Sequence, residues 1–310
     1  MGTMAVTPPE AVTVRVPAKV NLDLRVGPRR PDGYHDLATV LQAVSLYDEV
    51  SVARWDDWQV VPSGSYAALI PTDDSNLALR AARLLADRFQ ITEALSVRID
   101  KDIPVAGGMA GGSADAAATL LACDQLWGLG LEREDLLLLA AELGSDAPFP
   151  LLGGTAIGTG RGEQLAPALA RGRVHWVFAI SDTGLSTPSV YAECDRLRDD
   201  APAPQVGAQL MTALRAGDPK ALGAALHNDL EPAVFSLRPG LRELRDAGVE
   251  FGALGAVVSG SGPTVAFVTD SREAALDLSV SLAASDLSRD LRRAKGPVHG
   301  AQVVAVPRPD

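Results

Sequence analysis

Residues 103 to 121 read Ile-Pro-Val-Ala-Gly-Gly-Met-Ala-Gly-Gly-Ser-Ala-Asp-Ala-Ala-Ala-Thr-Leu-Leu, with four glycines between positions 107 and 112 and an Ala/Leu run behind them. Glycine lets the backbone take positive φ and approach a ligand closely, while a helix starting there aims its first N–H groups and its positive dipole end at the same point. An anion fits such a cradle, and a polyphosphate fits best. Gly107, Gly108, Gly111 and Gly112 would shape it, with Ala106, Met109 and Ala110 between them. Ser113 stands at the junction, where its hydroxyl either caps the helix or turns outward to a phosphate or Mg²⁺. A plain turn seldom needs so many glycines, since each costs about 0.5–1 kcal/mol relative to alanine.

Two commoner nucleotide motifs fail on this segment. The P-loop requires a lysine after its last glycine, but Gly112 is followed by Ser113 and Ala114. The dinucleotide fingerprint Gly-x-Gly-x-x-Gly is absent here, and also from Gly158-Thr-Gly-Arg-Gly162, where its last position is Glu163. Phosphate binding would therefore use a third solution.

Composition narrows the partners. The chain has 310 residues, enough for one large domain or two smaller ones, and its 47% hydrophobic and 22% charged content is that of an ordinary globular protein. A formal net charge of −11 argues against nucleic acid and makes local donors necessary for any bound phosphate. No apolar run approaches the roughly 18 residues of a membrane span, so no membrane partner is expected. The N-terminus lacks a signal-peptide pattern, Val6 stands where myristoylation needs Ser or Thr, and the expected location is cytoplasmic. Cys123 and Cys194 are too few for a disulfide framework and lack zinc-ligand spacing. Lysine is scarce: Lys19, Lys101, Lys220 and Lys295 stand against 24 arginines, so a retained Lys19 suggests that a compact point charge is wanted there.

The elements that would position these residues follow from periodicity. Residues 1 to 11 read as a loose tail, 12–16 and 22–26 as strands with a bend at Pro17-Ala18-Lys19, and 37–44 and 49–53 as further strands. A helix is expected over 75–89, capped by Asp74 or Ser75, and a short strand over 96–99 leads into the glycine segment. Helices follow at 113–127 and 133–143, then a hairpin over 153–165. The remainder reads as strands at 174–180, 253–258, 264–268 and 301–306, with helices at 188–198, 206–216, 219–227, 238–247 and 271–285. The periodicity predicts an α+β protein and nothing finer.

Pro104-x-x-x-Gly108-Met-x-Gly-Gly-Ser-x-x-Ala-Ala resembles the central motif of the GHMP kinases, the superfamily of galactokinase, homoserine, mevalonate and phosphomevalonate kinases. Val16-Pro-Ala-Lys-Val-Asn-Leu22 with Pro31-Asp-Gly-Tyr-His35 looks like the first motif of one branch, and Gly255-Ala-Val-Val-Ser-Gly-Ser-Gly-Pro-Thr264 is similar to the third motif. The three stand in the expected order over residues 14 to 268. The resemblance implies two α+β domains, 1–168 like the second domain of ribosomal protein S5 and 169–310 ferredoxin-like, with the site in the cleft between them.

It also implies roles. Lys19 and Asp146, the latter in Gly144-Ser-Asp-Ala-Pro148, match the catalytic lysine and aspartate, which would pair at the acceptor hydroxyl. Phosphoryl transfer passes through a loose transition state, so positioning and charge stabilisation matter more than a strong base. ATP would lie along Pro104 and Ala106 to Ser113, with Asn76 and Lys101 toward the adenine and Mg²⁺ on Ser113. The family often has consecutive serines here; this chain has Ala114 and Asp115 next, so Asp115 either helps hold the metal or is an exposed first-turn residue. Asn21, Tyr34, His35, Tyr191 and Gly260 match substrate contacts. The branch implied acts on the 2-hydroxyl of a cytidine diphosphate-linked methylerythritol in non-mevalonate isoprenoid synthesis, and Tyr34, His35 and Tyr191 would hold the base. Rival readings are another small-molecule GHMP kinase, for homoserine, mevalonate or a sugar, and a non-catalytic nucleotide-binding module. The chain is expected to be a monomer or weak homodimer.

Overall fold

The computed structural model describes residues 10–181, 183–198, 200–288 and 290–305; most of the expected N-terminal tail and the end of the last expected strand, residue 306, lie outside them. In chain order the first part runs β1 (Ala11–Arg29), β2 (His35–Trp55), β3 (Gln59–Ser63), α1 (Leu77–Phe89), β4 (Ala94–Asp100), α2 (Gly111–Trp127), α3 (Arg133–Leu143), α4 (Pro148–Leu152), β5 (Thr155–Thr159) and β6 (Gln164–Pro167). The second runs β7 (Val174–Ile180), α5 (Thr187–Leu197), α6 (Ala208–Ala216), α7 (Pro219–Ala225), β8 (His227–Asn228), α8 (Glu231–Leu237), α9 (Gly240–Glu250), β9 (Gly255–Val258), β10 (Val265–Thr269), α10 (Arg272–Ala284), β11 (Asp290–Gly296) and β12 (Gln302–Ala305).

These strands form two sheets. In the larger, β12, β1, β2, β4 and β3 lie in that order, with β5, β6 and β8 attached beside them; the smaller is the antiparallel set β11, β7, β10 and β9. Because β12 returns to pair with β1, and β8 also joins it, the expected division at residue 168 separates the smaller sheet but not every strand of the larger one.

β1 and β2 are long antiparallel strands, and the expected bend at Pro17 does not occur. A proline has no N–H for the ladder, and here the pairing register shifts between Pro17 and Ala18, which absorbs the lost bond without breaking the strand. The bulge leaves Lys19 and Asn21 on continuous, buried backbone. α1 begins two residues later than expected: Asn76 caps it, its side-chain oxygen accepting the N–H groups of Ala78 and Leu79. Periodicity missed α4 and α8, of five and seven residues and too short for a helical face to repeat, and β3 and β11, whose Gln-Val-Val-Pro-Ser and Asp-Leu-Arg-Arg-Ala-Lys-Gly do not alternate apolar with polar residues.

The main core lies between the larger sheet and α1 and α2, and α2 is buried nearly all round. Its alanines let neighbouring elements approach closely, which suits a helix without a polar face. β7 alternates between two cores: Trp176 and Phe178 face the main one, while Val177 and Ala179 face a second beneath α8, α9 and α10. The Trp176 indole N–H donates to Gln42 Oε1 at 3.1 Å, joining the two sheets through a buried contact.

Candidate active site

The glycines of the segment line a cleft of about 660 Å³. α2 starts at Gly111, two residues before the expected junction, and no side chain caps it. Ser113 is therefore a first-turn residue whose side chain lines the cleft. The first amide of α2 to reach a carbonyl is that of Ala114, on Ala110 O at 2.8 Å, so those of Gly111 to Ser113 remain for a ligand.

Gly107, Gly108 and Gly111 are needed here for space, whereas a Cβ on Gly112 would make only an ordinary 3.6 Å contact with Leu77. Gly108 alone among the four has positive φ, +72°, and a Cβ on it would stand 2.0 Å from Ser259 O. A Cβ on Gly111 would meet Lys101 Nζ at 3.0 Å. The left-handed turns fall instead on Ala106 and Ala110, at φ +54° and +59°, a conformation that costs an L-residue about 1–2 kcal/mol each. The loop from Ser259 to Gly262 closes over the segment, with Ser259 Oγ donating to Gly108 O at 3.0 Å.

Lys19 enters the cleft from β1. Its side chain is 4% exposed; Nζ donates to Asn21 Oδ1 at 2.6 Å and lies 4.0 Å from Asp146 Oδ2. Asn21 in turn donates to Thr39 Oγ1 at 3.0 Å, and Thr39 donates to Asp23 O at 2.7 Å, so three polar residues fix the ammonium's approach. Asp146 sits in the turn between α3 and α4 and is half exposed. The closest partner of Lys19 is thus the neutral Asn21, and the carboxylate stands far enough off that a hydroxyl on the cleft side could bond both groups.

Part of the lining is aromatic. Tyr34 is exposed, with the Arg161 guanidinium 5.2 Å from its ring centroid. His35 opens β2 and lies 5.1 Å from the Tyr191 ring at a 31° tilt, while its Nε2 bonds Asp195 Oδ1 at 2.8 Å. Burial, with the Asp146 carboxylate adding to it, pushes the Tyr191 phenol well above its ordinary range and keeps it neutral. Gly260, at φ +57°, lines the cleft beside Lys19, and Ser261 Oγ bonds Thr187 Oγ1 at 2.8 Å. Pro104, Ala106, Gly107, Gly108, Ala110, Gly111 and Gly112 line it too.

Three residues expected on the nucleotide side do not line the cleft. Met109 is wholly buried, and Asn76 spends its amide on the α1 cap and on Pro71 O. Lys101 is 1% exposed: Nζ donates to Asp48 Oδ2 at 2.7 Å and to Asp115 Oδ2 at 2.5 Å, beneath the start of α2. Asp115 is likewise buried, neither an exposed first-turn residue nor a cleft ligand, because the fold turns it inward onto Lys101. Asp48 Oδ1 accepts the amides of Asp102 and Ile103, tying the start of the loop to β2. Burial, with the Asp115 carboxylate beside it, pushes the Asp48 carboxyl up to about 8 against the pull of Lys101. Burial works against the Lys101 ammonium, but the two carboxylates outweigh it and hold its pKa above the ordinary value.

Sequence reasoning missed Asp48, Thr39, Arg161 and Asp195. None lies in a motif, and only pairing across the fold brings them to the site.

Residues 76–154 match the GHMP kinases N terminal domain and 210–285 the GHMP kinases C terminal domain. The chain is 58% identical over 304 residues to the 4-diphosphocytidyl-2-C-methyl-D-erythritol kinase of Thermobifida fusca (strain YX), covering 96% of this chain and 99% of that one. The chain belongs to the GHMP kinases. It is an enzyme, a kinase with ATP as phosphate donor. A crystal structure of a 4-(cytidine 5'-diphospho)-2C-methyl-D-erythritol kinase, 32% identical, superposes with a TM-score of 0.74 over 91% of this chain and 98% of that one. A homoserine kinase from Cytophaga hutchinsonii, 19% identical, gives 0.76 over 98% and 100% and shares the fold. The two-domain α+β architecture of this kinase family accounts for the arrangement of the two sheets.

Proposed function

We propose that this kinase moves the γ-phosphate of ATP onto the 2-hydroxyl of 4-diphosphocytidyl-2-C-methyl-D-erythritol, the acceptor named in its relatives. The observation that carries the reading is the convergence of three groups on one cleft: the amides at the start of α2, the Lys19–Asp146 gap of 4.0 Å, and the wall of Tyr34, His35 and Tyr191. The first suits a polyphosphate, the second a hydroxyl in transfer, the third a planar base.

In this mechanism the amides of Gly111 to Ser113 hold phosphate oxygens, and Lys19 stabilises the charge that spreads over the moving phosphoryl group. Asp146 takes the acceptor's proton late, as bond formation to phosphorus proceeds. Asn21 keeps Lys19 aimed, and the aromatic wall orients the acceptor, which is where most of the rate enhancement of such a reaction arises.

Among the described residues no cluster of three His, Cys, Asp or Glu side chains could hold a metal. Mg²⁺ needs only one or two protein oxygens when phosphates and waters fill the rest, so a single hydroxyl in the cleft at the phosphate end fits it. Ser113 would be that ligand, and the ion would neutralise phosphate charge when bound. Asp115 is excluded from the role by its burial against Lys101.

In this reading the enzyme works in the cytoplasm as a monomer or weak dimer, without nucleic acid. The test is to supply ATP, Mg²⁺ and the cytidylyl acceptor, homoserine or mevalonate in parallel and to measure ADP. Turnover with the cytidylyl compound alone is expected; turnover with another alcohol instead, or with none, would overturn it.

A further inference from the structure

Asp195 does not line the cleft, yet it bonds a residue that does. It sits on α5 one turn beyond Tyr191, so a single helix face supplies both the ring that packs on His35 and the carboxylate that bonds it. The bond links β2 of the larger sheet to a helix of the second part, 160 residues apart in sequence. His35 is 7% exposed, which leaves its ring little freedom to turn.

The chemistry of the pair fixes more than orientation. An ionised carboxylate only accepts hydrogen bonds, so the imidazole nitrogen facing it, Nε2, carries the proton. In the neutral ring Nδ1 is then a bare acceptor. Nδ1 has no hydrogen-bond partner among the described residues and is not among their sealed-off polar atoms, and the space open to His35 is the cleft.

We propose that Asp195 is the positioning residue that sets how the cleft reads the acceptor's base. By holding the proton on Nε2 it presents His35 Nδ1 as an acceptor, a partner for the exocyclic amine of a cytosine. The carbonyl that uracil carries at the same ring position is an acceptor too, and the two lone pairs would face each other. This rests on the cytidylyl reading above and adds to it the group that selects cytosine over uracil.

The experiment uses the full chain and measures inhibition of ADP release, with the acceptor varied, by CDP and by UDP. In the unmodified enzyme CDP is expected to compete with the acceptor about tenfold or more better than UDP, the usual weight of one buried hydrogen bond against a mismatched pair. Asp195→Ala is expected to weaken CDP about tenfold, leave UDP within about twofold, and raise KM for the acceptor with little change in kcat or in KM for ATP. Asp195→Asn, whose amide oxygen can still accept from Nε2, is expected to restore part of the preference. A preference for CDP that survives in Asp195→Ala would overturn the role of Asp195 while leaving the substrate reading intact. Equal weakening of both nucleotides, accompanied by a lower melting temperature, would make the pair merely structural and overturn it as well. An unmodified enzyme that does not prefer CDP would sink the substrate reading itself, and this inference with it.

Discussion

Two lysine–aspartate constellations flank the same glycine segment and differ in nearly every physical respect. Lys101 is sealed beneath the start of α2, with carboxylate oxygens at 2.7 and 2.5 Å. Lys19 opens onto the cleft, bonded to a neutral amide at 2.6 Å, with its carboxylate partner 4.0 Å away and half exposed. The first has two carboxylates in contact with its ammonium and is closed off from the cleft. The second keeps a gap between opposite charges in reach of solvent, which is what a reacting hydroxyl requires. In the proposed mechanism it is therefore not nearness to the glycine segment that would suit a lysine to catalysis, but its opening onto the cleft.

The sharpest way to break the comparison is to alter the open pair. Asp146→Asn preserves shape and removes the carboxylate, and turnover is expected to fall by about 10²–10⁴, the range for a positioned acid or base. ATP affinity should stay within a few-fold and the melting temperature close to that of the parent, since an exposed aspartate at 4.0 Å contributes little to stability. Steady-state kinetics beside a thermal melt check both halves. Turnover that stays at the parent level would remove Asp146 from the chemistry.

The closed constellation should respond in the opposite sense. Lys101→Met leaves Asp48 and Asp115 facing each other in the core without their shared cation, and breaking a buried pair in this way costs about 3–5 kcal/mol. The loss should be smaller at pH 5 than at pH 8, because the Asp48 carboxyl can take up a proton instead of repelling Asp115. Denaturant unfolding at the two pH values measures it. A stable Lys101→Met variant with weakened ATP binding would mean that the lysine faces the nucleotide after all and that the distinction between the two lysines is wrong.

How far the sequence reveals this contrast depends on the residue. The glycines of the segment, Lys19, Asp146, Tyr34, His35 and Tyr191 all line one cleft, and all but Tyr191 lie in or beside a short motif whose residue types announce their chemistry. Lys101 lies beside the same motif but turns inward, and nothing in its neighbours shows that, because its partners come from β2 and from inside α2. The positive φ values fall on Ala106 and Ala110 instead of on most of the glycines, while Gly107, Gly108 and Gly111 answer to space set by Thr264, Ser259 and Lys101, residues distant in sequence or buried under the loop. Long periodic helices such as α1 are legible, whereas α4 and α8, with five and seven residues, are too short for a face to repeat.

A subtler probe is the pH dependence of stability. The Asp48 carboxyl has its pKa raised from 3.8 to about 8 in the folded chain, so the folded state binds this proton more tightly than the unfolded one. Its contribution to stability is thus present below the unfolded value, declines as pH rises, and is gone once pH passes about 8. Asp115 is a cause of that shift, and Asp115→Asn removes its negative charge while keeping an oxygen for Lys101. The melting temperature of the variant should therefore fall less steeply between pH 5 and 8 than that of the parent, whatever its absolute value. Equal slopes in parent and Asp115→Asn would show that burial alone holds the proton on Asp48, and that the second carboxylate contributes geometry to the closed site without contributing to its titration.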